Sequence, residues 1–289
     1  METLAYLARQ PILDGDGKVF AYELLFRDSP ESDSAVIESD MSATAQVLEN
    51  VLNNIGIQHL VGDCKAFVNC SRDMLLNNLF GLLNPRYFVL EVLEDVEVDD
   101  SIVEAIQRYK SRGFEIALDD FIFDENFLQR FEPLFPYVSY VKMDVAENNP
   151  DAMAKAADFF KALGVRLLAE KVEDAITFER CKETGYDYFQ GFFFGKPELV
   201  TGKKIDATSA AILQLIFFLR SKPSQEALCE SLGNNPEIAE NLLRFVNSKS
   251  NARRNKVGSV KEAVTWVGLD SLENWLLLML YARPEEVNL

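Results

Sequence analysis

Histidine is nearly absent from this chain, since His59 is the only one in 289 residues. The four cysteines, Cys64, Cys70, Cys181 and Cys229, show no CxxC spacing and are typical of small buried apolar residues. A zinc site and a disulfide framework are therefore not expected, and unpaired thiols of this kind indicate a reducing compartment.

Long apolar runs and basic residues are also scarce. No apolar run approaches the roughly 20 residues that a membrane span needs, and residues 1–10 lack the basic-then-apolar pattern of a signal peptide. We therefore expect a soluble, cytoplasmic protein that does not enter a membrane. Lys and Arg number 29 against 46 Asp and Glu, so the net charge is −17. Binding to a nucleic acid polymer is not expected, because it depends on clustered basic residues.

The chain does contain a series of short apolar segments that end in polar residues. These are KAFVN ending at Asn69, YFVLEV with Glu91, EIALDD ending at Asp119 and Asp120, YVKMD with Lys142, VRLLAE ending at Glu170, and YDYFQG with Gln190. They recur roughly every 20 to 28 residues, which is enough for one strand and one covering helix. Helices are predicted over residues 99–112 and 150–163, each followed by a glycine stop, Gly113 or Gly164.

Two further strands are predicted before this series, over residues 6–13 and 18–27. The Asp-Gly pairs at residues 14–17 favour a tight hairpin, so these strands should be antiparallel neighbours. Eight strands, most followed by a helix, predict an α/β fold, a (β/α)8 TIM-like barrel with one antiparallel strand. Beyond about residue 203 the periodicity becomes helical. We therefore predict a barrel domain at 1–203 and a small all-α domain at 204–289.

The polar strand ends predict one shared site, because parallel strands of a barrel end at the same rim. The acidic and amide residues there would be Glu23, Asn69, Glu91, Asp119, Asp120 and Glu170. So many carboxylates need protonation or a cation to offset their repulsion, and oxygen ligands without His or Cys select Mg²⁺ or Mn²⁺. Adjacent aspartates could bridge two such ions, an arrangement suited to attack on a phosphodiester. Lys142 could neutralise the phosphate or orient the water, and Glu170 could accept the water's proton.

Taken in order, the motifs over roughly residues 4–200 resemble the EAL-type cyclic di-GMP phosphodiesterases. The matching segments are QPI from Gln10, ELLFR from Glu23 to Arg27, FVNCS around Asn69, LEVLED with Glu91 and Glu94, LDDF, VKMD with Lys142, AEKVE with Glu170 and Glu173, and QGFFFGKP from Gln190. The resemblance implies metal ligation by Glu23, Asn69, Glu91, Asp119 and Asp120. It also implies catalytic support from Lys142 and Glu170, a site held by Glu94, Glu173 and Gln190, and contacts to the dinucleotide from Gln10 and Arg27.

Four departures from the family pattern stand beside these matches. Leu24 replaces the signature alanine, Ile122 replaces the glycine after Asp-Asp-Phe, and Lys171 replaces the glycine after Glu170. The polar segment at 28–40 lacks the usual continuation, which concerns the floor of the substrate site. In the family, the glycine after Asp-Asp-Phe begins a loop thought to couple dimer contacts to metal binding. A β-branched Ile cannot adopt the same positive φ, so a different loop path is expected.

The C-terminal segments NNPEIAENLLRFVNS and SVKEAVTWVGLDSLENWLLLML resemble the front part of an HDOD domain. Because the chain stops at Leu289, the resemblance implies a truncated or minimal version. The relationship of HDOD domains to HD phosphohydrolases brings no chemistry here, since those enzymes need several His and Asp ligands. Capping-box patterns at Ser259/Glu262 and Asp270/Glu273 predict two helix starts.

Three functions follow from these features. The first is a metal-dependent phosphodiesterase that converts cyclic di-GMP to linear pGpG. The second is a non-catalytic cyclic di-GMP receptor with the HDOD part as output, which Leu24 and Ile122 favour. The third is a protein-interaction module in which both domains are binding platforms, and it predicts no dinucleotide binding. A protein partner is expected through the helical domain. A homodimer is compatible with all three. An unrelated barrel enzyme that uses Mg²⁺ and Lys for proton abstraction fits the ordered motif series less well.

Overall fold

The N-terminal part of the chain is a closed barrel. The computed structural model describes residues 4–27, 40–203, 207–249 and 256–282. The strands are β1 (Leu4–Asp14), β2 (Val19–Phe26), β3 (Lys65–Cys70), β4 (Phe88–Val92), β5 (Glu115–Leu118), β6 (Tyr140–Asp144), β7 (Arg166–Glu170), β8 (Tyr188–Phe189) and β9 (Glu198–Lys203). Strands β2 to β8 run parallel to one another. Strand β1 closes the barrel between β8 and β2, antiparallel to both, so the predicted fold is confirmed.

Strand β9 was not predicted from the sequence. It pairs antiparallel with the first half of β1, with Leu7 opposite Val200 and Arg9 opposite Glu198. Strand β8 is only two residues long and pairs with Leu13 and Asp14, so the first half of β1 would otherwise be an unpaired edge. β9 therefore satisfies the backbone of a strand that extends beyond the barrel wall.

Helices alternate with the strands as predicted. They are α1 (Asp40–Glu49), α2 (Ile57–Val61), α3 (Arg72–Leu76), α4 (Asp100–Ser111), α5 (Glu125–Phe131), α6 (Pro150–Ala162) and α7 (Ala175–Thr184), with a π-helical turn at Asn50–Ile55. Helix α4 begins where the Asp99 carboxylate accepts a hydrogen bond from the Ile102 amide at 3.0 Å. It ends at Ser111, and Gly113, two residues later, has a φ of 94° that does not continue a helix.

An apolar layer fills the middle of the barrel interior, between the charged residues at the strand starts and the polar residues at the strand ends. One inward-facing layer there consists of Ile12, Ala21, Phe67, Val89, Ala117, Tyr140 and Leu168. Phe20 and Tyr188 stack beneath it with ring centroids 3.9 Å apart. This packed layer separates the two ends of the barrel and leaves the end where the parallel strands finish for the polar side chains of the site.

The C-terminal part is helical, as predicted, with α8 (Ser209–Arg220), α9 (Gln225–Gly233), α10 (Pro236–Lys249), α11 (Val260–Val267) and α12 (Leu269–Tyr281). Ser259 caps α11 by accepting from the Glu262 amide at 3.2 Å, so that capping prediction is confirmed. The prediction for Asp270 and Glu273 is wrong. The cap position of α12 is Gly268 (φ 78°), which precedes both residues, and no side chain caps this helix.

Helix α12 joins the two parts of the molecule. It packs against α8 and against α1 of the barrel, and the buried Trp275 indole donates to the Asn53 side-chain oxygen at 3.2 Å. The predicted domain boundary falls at residues 203–204, and residues 204–206 lie outside the described residues. That boundary stays a prediction. Within the part of the chain that the structure describes, no helix is long and apolar enough to cross a bilayer.

Candidate active site

A polar layer lies directly above the apolar layer of the barrel. Each of its members follows an inward-facing core residue by two positions, as Glu23 follows Ala21, Asn69 follows Phe67 and Glu91 follows Val89. Alternate residues of a strand face the same side, so this spacing points the polar side chains into the same end of the barrel. The same spacing relates Asp119, Lys142, Glu170 and Gln190 to the strands β5 to β8. The predicted convergence at the C-terminal rim is therefore what the strand geometry produces.

Lys142 is the centre of this layer. Its Nζ lies 2.7 Å from Glu91 Oε1, 2.7 Å from Asp119 Oδ1, 3.0 Å from Glu170 Oε1 and 3.8 Å from Glu23 Oε2. The lysine side chain is 1% exposed, and Glu91 is completely buried. Carboxylates that are distant in sequence thus surround a single buried cation.

The electrostatics of this cluster follow from burial and charge. Burial raises the pKa of Glu91 well above its usual value, and Lys142 offsets this only in part. Glu170 is raised in pKa for the same reason. For Lys142, burial alone would lower the pKa, but the surrounding carboxylates reverse the effect and hold its pKa well above the usual value. A protonated lysine therefore balances only some of the negative charge.

Several oxygen atoms of the cluster have no hydrogen-bond partner within the protein. They are Asn69 Oδ1, Glu91 Oε2, Glu170 Oε2 and Gln190 Oε1, all shielded from solvent. Buried acceptors without partners are costly and rare, whereas carboxylate and amide oxygens are the preferred ligands of Mg²⁺ and Mn²⁺. The donor set therefore fits a divalent cation. Among the described residues, however, no group of three or more Asp, Glu, His or Cys encloses a metal position by itself.

The segment after β5 is held in a fixed conformation. The Asp119 amide donates to Val92 O at 3.0 Å, and the Phe121 amide donates to Lys142 O at 2.9 Å. Asp120, between them, has a φ of 39°, whereas Ile122 has no positive φ. The turn is therefore made at Asp120, and the different loop path expected from Ile122 stays a prediction.

Two neighbouring cavities open at this rim and share Leu25, Asp119 and Asp120. The first, of about 380 Å³, is also lined by Gln10, Glu23, Lys142, Glu170, Lys171, Glu173, Gln190, Gly191 and Phe192. The second, of about 430 Å³, is also lined by Leu24, Phe26, Arg27, Ala43, Thr44, Val47, Val68, Asn69, Leu93, Glu94 and Asp95. Every predicted site residue except the fully buried Glu91 thus lines one of these cavities.

The predicted supporting residues differ in how firmly they are held. Gln190 donates from Nε2 to Glu23 Oε2 at 2.6 Å, so it fixes that carboxylate. Gln10 donates to Gly195 O at 3.4 Å, and Arg27 donates to the adjacent Phe26 O at 2.7 Å. Glu94 and Glu173 are exposed on the cavity rims. The segment 28–39, which follows Arg27, lies outside the described residues.

The structure adds two residues that the sequence did not single out as functional. Lys171 lines the smaller cavity and forms an ion pair with the buried carboxylate of Asp144. Phe192 is 58% exposed at the same rim. The sequence did carry a signal for the first, since Lys171 stands where the resembled family has glycine.

Comparison with known families divides the chain into two matched segments. Residues 5–197 match the model of the EAL domain, and residues 209–284 match the model of the HDOD domain. "Cyclic di-GMP phosphodiesterase CdgJ" of Vibrio cholerae is 30% identical over 280 residues, which cover 94% of this chain and 63% of that protein. "Uncharacterized protein YuxH" of Bacillus subtilis is 28% identical over 279 residues, which cover 95% of this chain and 67% of that protein. The chain therefore spans about two thirds of the length of these relatives.

Solved structures share the barrel. An EAL domain protein from Listeria monocytogenes gives a TM-score of 0.53 at 18% identity, covering 67% of this chain and 88% of that chain. Klebsiella pneumoniae BlrP1, in a complex with calcium and cyclic di-GMP, gives 0.53 at 22% identity, covering 69% of this chain and 57% of that chain. At these identities the likeness concerns the fold.

Proposed function

Because this chain belongs to the EAL domain family, with an HDOD domain after its EAL domain, we propose that it is a metal-dependent phosphodiesterase that hydrolyses cyclic di-GMP to linear pGpG. The observation that carries the proposal is the convergence of Glu23, Glu91, Asp119 and Glu170 within 3.8 Å of the Lys142 ammonium at the barrel mouth. The name of the relative CdgJ supports the same activity.

We assign metal binding to Glu23, Asn69, Glu91, Asp119 and Asp120, because their oxygens form the donor set at the mouth and two of them hold buried oxygens without partners. Two Mg²⁺ or Mn²⁺ ions would polarise the phosphodiester and lower the pKa of the attacking water. The fixed backbone around Asp119 positions the adjacent carboxylates before any ligand arrives.

Lys142 and Glu170 have complementary roles in the proposed reaction. Lys142 is held protonated among its carboxylates, so it supplies fixed positive charge near the phosphate. Glu170 has a buried oxygen, Oε2, that is free to accept the proton of the attacking water. In this reaction the water oxygen would bond to phosphorus and give one proton to Glu170, while the bond from phosphorus to the 3′ oxygen breaks and that oxygen takes a proton from solvent, which leaves a 5′-phosphate and a 3′-hydroxyl.

The remaining residues hold the site and the ligand. Gln190 orients Glu23 through its 2.6 Å hydrogen bond. We propose Glu94 and Glu173 as supports of the site, and Gln10 and Arg27 as contacts to the dinucleotide, because Arg27 and Glu94 line the larger cavity and Gln10 and Glu173 line the smaller one. A cytoplasmic location, a homodimer and a protein partner of the helical part stay predictions.

A receptor without turnover is the second candidate, favoured by Leu24 and Ile122. Leu24 is buried in the wall of the larger cavity, where the family signature has a smaller alanine. The loop after β5 makes its turn at Asp120, and Ile122 replaces the family glycine. Ligand binding would then be read out by the helical part, which contacts α1 next to this cavity.

Turnover and binding measured on the same protein separate these candidates. With Mn²⁺, we expect conversion of cyclic di-GMP to pGpG by the wild-type protein and its loss in Glu23→Gln, with the thermal unfolding profile retained. Glu198→Gln is the matched control, because Glu198 is a surface carboxylate paired with Arg9. Calorimetric binding without turnover would favour the receptor, and absence of both would contradict cyclic di-GMP as the ligand.

A further inference from the structure

Lys171 has an unusual backbone for its residue type. It is the first residue after β7, and its φ of 55° lies in the left-handed region that a residue with a long side chain seldom adopts. Glycine, the usual residue of the resembled family at this position, would adopt it without strain. Strain retained at the edge of a cavity is a reason to look for a use of the side chain.

The contacts of Lys171 leave its charge accessible. Its Nζ is paired with Asp144 Oδ2, while Asp144 Oδ1 accepts from the Ala146 amide at 2.7 Å. The Asp144 side chain is 3% exposed, whereas that of Lys171 is 57% exposed. A lysine ammonium has three donors, so the pairing with Asp144 fixes the side chain and leaves donors that face the solvent.

The charge of the surrounding wall makes this position important for an anion. The smaller cavity is lined by Glu23, Asp119, Asp120, Glu170 and Glu173. Among the described residues that line it, the two cations are Lys142 and Lys171. Lys142 is 1% exposed and surrounded by carboxylates, so it is not open to a ligand at the rim. A phosphate that enters this cavity therefore meets one accessible positive charge.

We propose that Lys171 is a substrate-contact residue whose ammonium donates a hydrogen bond to a phosphodiester oxygen of the cyclic dinucleotide at the cavity rim. This assignment rests on the proposed function, since it takes cyclic di-GMP as the ligand. The side chain attracts the ligand and holds its phosphate, while Lys142 and Glu170 below act on the reacting atoms. The alternative use of Lys171 is purely structural, as a tether between the end of β6 and the loop after β7.

Binding and kinetics of Lys171→Met test the assignment. We expect its dissociation constant for cyclic di-GMP, measured by calorimetry with Ca²⁺, to rise by about tenfold, because a charge-assisted hydrogen bond to phosphate is lost. KM measured with Mn²⁺ should rise by a similar factor while kcat stays within about threefold, because the contact holds the ligand in both ground and transition states. The decrease in affinity with added NaCl should become less steep than in the wild type.

Three further variants isolate the charge from the fold. Lys171→Arg should keep the affinity within about threefold, since it retains the cation. Lys171→Gly should bind as weakly as Lys171→Met without a lower melting temperature, because it removes the backbone strain. Lys182→Met removes the same charge from α7, where Nζ donates to Gly15 O at 2.6 Å at the far end of the barrel, and should bind like the wild type.

The outcomes that oppose the assignment are distinct. Unchanged affinity in Lys171→Met would overturn it and leave the proposed function intact. A weaker affinity with an unchanged salt dependence would also overturn it, because a tether carries no charge effect on the ligand. Wild-type protein that binds no cyclic di-GMP would overturn both this assignment and the proposed function.

Discussion

At the scale of single residues, Lys142 shows how a buried charge can organise a site. Its ammonium contacts Glu91, Asp119 and Glu170 at 3.0 Å or less, with Glu23 at 3.8 Å. Each carboxylate alone would be costly at this depth, since an unpaired buried charge loses its hydration. The lysine is therefore a structural part of the site as well as a candidate catalytic group.

Replacing Lys142 by Met should destabilise the protein because the carboxylates would face one another without a cation. We expect the free energy of unfolding in EDTA to fall by about 3 to 5 kcal/mol, the usual effect of breaking a buried ion pair. Urea unfolding followed by circular dichroism measures it. Glu91→Gln is the matched control and should lose less than about 1.5 kcal/mol, because the amide keeps the shape and removes one repelling charge. A Lys142→Met protein as stable as the wild type would contradict this description of the cluster.

At the scale of elements, the opposite end of the barrel is held by an ion cluster across three strands. Glu115 of β5 pairs with Lys65 of β3 and, at 2.9 Å, with Arg166 of β7. It also accepts from the Tyr140 hydroxyl at 3.2 Å. Burial alone would raise the pKa of Glu115, but Lys65 and Arg166 more than offset it, so its pKa lies below the usual value.

The direction of this shift predicts how stability depends on pH. A carboxylate with a lowered folded-state pKa stabilises the protein above its unfolded-state pKa of about 4.3 and loses that effect as the pH falls through the folded-state value. The free energy of unfolding of the wild type should therefore exceed that of Glu115→Gln by about 1 kcal/mol at neutral pH. The difference is modest because the partners of Glu115 are partly exposed.

Urea unfolding of both proteins from pH 7 to pH 3 measures this difference. It should be constant above about pH 5 and should shrink below about pH 4.5. The difference in free energy of unfolding between the wild type and Lys65→Met should shrink over the same pH range, because this variant removes the same ion pair. A difference that stays constant down to pH 3 would contradict the assigned role of Glu115.

The elements that could be predicted from the sequence are those with a local physical signal. Inward-facing strand positions repeat every second residue, so Glu91 and Lys142 could be placed at one rim before any coordinates were known. Helix α4 was predictable from its cap and its glycine stop. Strand β9 was not, because its formation depends on the short β8 leaving one edge of the first half of β1 without a partner, which is a tertiary property.

The same limit applies to the site. The carboxylates, Lys142 and Gln190 could be identified from motifs, but the pairing of Lys171 with Asp144 joins the loop after β7 to the end of β6, which local sequence does not show. Asp270 was wrongly predicted as a helix cap because the sequence pattern does not show that Gly268 is the cap position and that α12 begins at Leu269. Contacts between loops and the exact start of a helix depend on the packed fold rather than on local preference.

At the scale of the whole molecule, helix α1 lies between the barrel site and the helical part. Its residues Ala43, Thr44 and Val47 line the larger cavity, and the helix also packs against α12. Close to this contact, the Trp275 indole reaches Asn53 in the π-helical turn and stacks on Phe245 with ring centroids 5.7 Å apart. A shift of the helical part would therefore move residues of α1 that line the cavity.

The Trp275–Asn53 contact should make the two parts unfold as one unit. Trp275→Phe and Asn53→Ala each remove one partner of a buried hydrogen bond, so each should lower the free energy of unfolding by about 1 to 3 kcal/mol. The double variant should lose less than the sum, with a coupling above about 0.5 kcal/mol. Trp266→Phe, on the partly exposed Trp266, should change the free energy of unfolding by about 0.5 kcal/mol or less.

Urea unfolding followed both by tryptophan fluorescence and by circular dichroism should give coincident transitions in the wild type. Additive losses, or a helical part that unfolds before the barrel, would show that this contact does not couple them.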